Sequence, residues 1–129
     1  MHWQEYLDYC HQMIGKKIGW TIREPTAEIQ DGIVRAGYPL YDQQLLDFVR
    51  AFRQSKFYDP HYRRTLRHGH IRRVINHETI GQVILSGDNH LVAAMLSLII
   101  DNEDMTRGTW AAALQEGYMY QLLNEILNT

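Results

Sequence analysis

The run Leu91–Ile100, LVAAMLSLII, is apolar at every position except Ser97. A helix without a polar face has to be enclosed on all sides. At ten residues it is about half as long as a membrane-crossing helix. The rest of the chain therefore has to wrap around it. With 129 residues, 45% of them apolar, one ordinary domain can do so without disulfide support. Cys10 is the single cysteine, so no intrachain disulfide forms, which fits a reducing compartment. The opening residues MHWQEYLDYCHQ carry acids and no apolar h-region, unlike a signal peptide. The expectation is a single cytoplasmic domain over residues 1–129 with no membrane association.

The wrapping elements can be read from periodicity. Trp3, Tyr6, Leu7, Cys10, Met13 and Ile14 recur at spacings of three and four, predicting a helix over 2–14 that stops at Gly15. Residues 16–41 hold Gly19, Pro25, Gly32, Gly37 and Pro39, which exclude a long helix. There KIGWTIRE and GIVRAGYPLY read as two strands of a small antiparallel element near 16–41, with a turn at Asp31-Gly32. Asp42 is an N-cap for a helix over 43–57, with Tyr41 and Leu46 placed for a hydrophobic staple and Leu45, Leu46, Val49 and Phe52 inward. Asp59-Pro60 starts another helix, running to about Leu66 and broken near Gly69. A short helix follows over Glu78–Leu85, and Asp88 caps the apolar one. After the loop DNEDMTRG come a helix over Trp110–Glu116 stopped by Gly117 and a last one over Tyr118–Leu127. The fold class is mostly α (α+β), a compact multi-helix domain with a small β element.

Charge singles out one stretch. HYRRTLRHGHIRRVINHE, residues 61–78, holds Arg63, Arg64, Arg67, Arg72 and Arg73 and four of the seven histidines. Residues 61–77 are net +5 and residues 78–129 net −6, within a chain of net −2. Two readings follow. Either the arginines face Asp101, Glu103 and Asp104 of their own chain, or they bind an external anion such as nucleic-acid phosphate, with Tyr58 and Tyr62 beside them for stacking. The overall isoelectric point near 6.4 is below that of a dedicated nucleic-acid-binding domain.

Catalytic patterns fail on their own chemistry. His68-Gly69-His70 sits in a helix or loop, where residues two apart diverge, and no cysteine is near. HETIG has Gly81 where a zinc-protease helix needs its second histidine. DNEDMT puts Met105 at a calcium-ligand position. Cys10 and His11 are sequence neighbours whose side chains diverge on a helix. No nucleophile elbow, phosphate-binding glycine loop or dinucleotide fingerprint is present. No catalytic residue, metal or cofactor is assigned. Trp3, Trp20 and Trp110 are either core or pocket lining, and Trp3 and Trp110 fall on apolar helical stripes.

GYPLYDQQLLDFVRAFRQSKFYD (37–59) and LVAAMLSLIIDNEDMTRGTWAAALQEGYMYQLLNEIL (91–127) resemble a bacterial family of small uncharacterised proteins known as a domain of unknown function. Gly108, Trp110 and Gly117 match that family's C-terminal pattern, while its loop is more basic than Asp101, Glu103 and Asp104 make it here. The resemblance implies a compact bacterial domain and brings no activity with it. The functional expectation is a non-enzymatic binding module with a protein partner or a second copy of itself, a homodimer. One alternative is a nucleic-acid accessory protein using the 63–73 arginines. The other is a small enzyme whose site is assembled in space.

Overall fold

The computed structural model describes residues 3–21 and 38–128. Among them the elements run α1 (Trp3–Gln12), β1 (Trp20–Thr21), β2 (Tyr38–Pro39), α2 (Gln43–Arg53), α3 (Tyr62–His68), α4 (His77–Ser86), α5 (Asn89–Asn102), α6 (Thr109–Gln115) and α7 (Tyr118–Leu127). The fold is mostly helical, and one hydrophobic cluster draws on all seven described helices.

The apolar run forms the centre. In α5, Leu91, Val92 and every residue from Ala94 to Ile100 are buried, as a helix without a polar face requires. Helices α3, α4, α6 and α7 pack on it, while α1 lies against α7 and α2. Its polar exception has a definite task. The Ser97 hydroxyl donates to Ala93 O (2.8 Å) and accepts from the Asp59 amide (3.0 Å). That pair of bonds fixes the turn that launches α3 onto the central helix.

Local chemistry sets the helix ends. Asp42 accepts from the Leu45 amide at 3.0 Å and Asp88 from the His90 amide at 2.9 Å, each satisfying a donor that a first turn leaves open. Asn76 and Thr79 form a reciprocal capping box at the start of α4. Gly117 joins α6 to α7 with φ +84°, a left-handed conformation in which glycine avoids the Cβ penalty.

Several expectations are corrected. Helix α2 ends at Arg53 rather than 57, and α3 begins at Tyr62, with Pro60 left in the preceding turn. Leu46 is 39% exposed rather than inward. Tyr41 packs on Trp110, ring centroids 5.1 Å apart. Ile14, expected on the α1 seam, lies beyond the end of that helix and is 42% exposed. The small antiparallel β element is not supported as a layer of the fold. The described residues hold only a two-residue bridge, Trp20 opposite Pro39 and Thr21 opposite Tyr38. Pro39 stands at a non-hydrogen-bonded position, where its missing N–H costs the ladder nothing, and the Leu40 amide donates to Gly19 O at 2.7 Å beyond it. The remainder of the expected strands, and the turn at Asp31-Gly32, lie outside the described residues.

Candidate anion-binding face

Helix α3 divides its residues cleanly. Tyr62 and Leu66, four apart, are buried toward α5, and Gly69 continues that face. Arg63, Arg64 and Arg67 project from the opposite side and are exposed. The segment after α3 adds Arg72 and Arg73, also exposed, while Ile71 and Ile75 pack back on the core. All five arginines therefore stand on the outside of one helix and the stretch of chain that leaves it.

They share two adjoining hollows. The smaller, about 300 Å³, is lined by Arg63, Arg67, His70, Ile71, Arg72 and Arg73. The larger, about 470 Å³, has Arg63, Arg64, Arg67 and Arg73 together with His61 and Asp101 on its walls. Arg63 also lies over the Tyr62 ring, 5.8 Å from its centroid, a cation–π contact that steadies the guanidinium without neutralising it.

Asp101 and Glu103 are engaged elsewhere. Asp101 is 3.2 Å from the Arg53 guanidinium and accepts from the Tyr58 hydroxyl at 2.6 Å. That bond, with partial burial, pushes the Tyr58 phenol up to about 12. Glu103 accepts from the Gly108 and Trp110 amides and from the Tyr41 hydroxyl, each at 2.9 Å. It thereby anchors the start of α6, and Tyr41 in turn accepts from the Ala111 amide at 3.1 Å. Burial, followed by the Glu103 bond, raises the Tyr41 phenol. Asp104 is exposed. Among the described residues none of the five arginines has a carboxylate partner.

The other candidates settle as structure. Cys10 is fully buried, and desolvation pushes its thiol up to about 12, away from nucleophilic chemistry. Trp110 is buried, its indole N–H donating to Ile100 O at 3.0 Å. Trp3 is partly buried and meets Tyr6 and Phe57 edge-on. The side chain of Trp20 lies outside the description. His77 is 3.2 Å from Glu116. Among the described residues no three His, Cys, Asp or Glu side chains come together as a metal site, and no helix is long and apolar enough to cross a membrane.

Charge patterning passes over Arg53, which lies outside the +5 stretch, yet it is the cation that occupies Asp101. His70, which the sequence offers only as a metal ligand, lines the smaller hollow. Its signal is Gly69-His70, where a helix stop has its glycine one position early. No family model, curated protein or solved structure matches the chain.

Proposed function

We propose that this protein is a nucleic-acid accessory protein that grips phosphates through Arg63, Arg64, Arg67, Arg72 and Arg73. The observation that carries this reading is the sharing of two hollows by five exposed guanidinium groups, with Asp101, the acid on their walls, paired with Arg53. Like charges held this close repel one another, and an incoming anion relieves that repulsion through bidentate hydrogen bonds. Tyr62 is buried and the Tyr58 hydroxyl is bonded to Asp101. Contact is therefore with the backbone rather than by base stacking, and sequence preference is weak.

The test is anisotropy of labelled duplex and single-stranded DNA and RNA at low salt. Five phosphate contacts give duplex binding a slope of about −4.5 in log K against log salt, and the triple variant R63A/R64A/R67A reduces it to about −2. Absence of binding, or a slope unchanged in the triple variant, rejects the reading.

A second reading, the protein-binding module or homodimer, has one observation in its favour. Trp3, Tyr6 and Phe57 line an open, largely apolar hollow of about 720 Å³ beside Ala51. Sedimentation over a wide concentration range tests the homodimer, which requires a concentration-dependent mass that W3A abolishes.

A further inference from the structure

We propose that the smaller arginine hollow seats a terminal phosphate, the phosphomonoester at the end of a nucleic-acid strand. This inference rests on the phosphate-gripping reading above. Four arginines and His70 line that hollow, and no carboxylate does. A phosphomonoester brings a charge of about −1.5 to −2 and three acceptor oxygens near neutral pH. The adjoining hollow sets Asp101 among its four arginines, which lowers its positive charge toward what a singly charged backbone phosphate needs. Arg63, Arg67 and Arg73 belong to both hollows. Two anion seats thus lie side by side, as successive phosphates of a strand do. A phosphorylated peptide offers a single phosphate and fills one of them.

His70 is a second and independent observation. Among the described residues it is the one non-glycine residue with positive φ, +59°. The backbone there closes α3 by bonds from the His70 amide to Arg67 O (3.0 Å) and from the Ile71 amide to Leu66 O (2.9 Å). This is a Schellman stop whose left-handed position normally belongs to glycine. The chain has a glycine one residue earlier for another reason. Gly69 has φ −86°, and a Cβ on it would collide with Leu91 Cδ2. Packing against α5 thus takes the glycine, and a histidine is held in the strained conformation. Side chains kept in left-handed backbone concentrate at binding sites, and this residue lines the arginine hollow.

The experiment compares single-stranded oligonucleotides of one sequence bearing a 5′-phosphate, a 3′-phosphate or neither, with a phosphoseryl peptide as a fourth probe. One end phosphate raises affinity by about tenfold or more, the size of a charged hydrogen-bond set. In H70G that advantage falls below about threefold, while Tm holds or rises because glycine suits the left-handed position. R72A, outside the helix, also removes the advantage. Loss of fold therefore cannot account for the H70G result. Equal binding of all three oligonucleotides overturns the inference and leaves the backbone reading standing. Binding of none overturns both. Tighter binding of the phosphopeptide than of the end-phosphorylated strand overturns the choice of nucleic acid. An advantage that survives in H70G overturns the role of His70.

Discussion

A buried hydroxyl in the middle of an apolar helix is tolerable only when both its proton and its lone pair are used. Ser97 meets that condition, donating within its own helix and accepting from the Asp59 amide. The acceptance matters more. Asp59 holds the entrance to α3, its carboxylate taking the His61 amide at 2.8 Å and the Thr65 hydroxyl. Removing the Ser97 oxygen leaves the Asp59 amide without a partner against the core. S97A therefore destabilises the protein by about 1–3 kcal/mol, the range for a stranded buried donor. Chemical denaturation measures it. S97C, which keeps a weak acceptor, falls between the two. A stability of S97A equal to that of the parent would show that the amide finds water instead.

At the scale of the element, α3 works as a plate whose inner face is fixed by size and whose outer face is fixed by charge. The inner face allows no side chain at position 69. Adding a methyl in G69A drives it into Leu91, which is buried and 8% exposed, and costs about 1–3 kcal/mol as overpacking. Trimming the partner removes the clash, so G69A/L91A is less destabilised than the sum of its single variants. Thermal or urea unfolding of the four proteins gives the coupling. Additive effects would place the Gly69–Leu91 approach elsewhere. This helix also shows what a sequence hides. Tyr62 misleads: beside Arg63 and Arg64 it reads as a stacking partner for an external ligand, yet with Leu66 four residues on it forms the buried inner face. The apolar run of α5 and the caps at Asp42 and Asp88 are legible, because each follows from a few neighbouring residues. Leu46 misleads because an apolar residue on a helix need not face the core. The Gly69–Leu91 contact, the left-handed His70 and the pairing of Arg53 with Asp101 are not legible. Each depends on which distant segment arrives opposite, and spacing along the chain does not record that.

Across the described residues of the molecule the charges separate rather than cancel. The acids of the C-terminal part serve the fold: Glu103 holds the start of α6 and Asp101 holds Arg53 and Tyr58, leaving the α3 arginines to face outward. Asp101 is where the two populations meet, since it also borders the larger arginine hollow. Two consequences of D101N follow, in opposite directions. The field at the arginine face becomes one charge more positive, and oligonucleotide binding at low salt tightens by roughly two- to fivefold, a screened surface charge effect. Stability at neutral pH falls, because Arg53 and Tyr58 lose their carboxylate. The pH dependence isolates the second effect. The Tyr58 phenol is raised to about 12, first by its bond to Asp101 and then by burial. A raised folded-state value stabilises the protein below the ordinary tyrosine range near 10, and that contribution is lost as pH climbs toward about 12. In D101N the phenol returns toward its ordinary value, so this part of the alkaline loss disappears. The stability gap between parent and D101N should therefore narrow from about pH 10 to about 12, tracked by denaturant midpoints alongside tyrosinate absorbance. A constant gap across that range would mean that Tyr58 does not share its proton with Asp101, and that the acid is held by Arg53 alone.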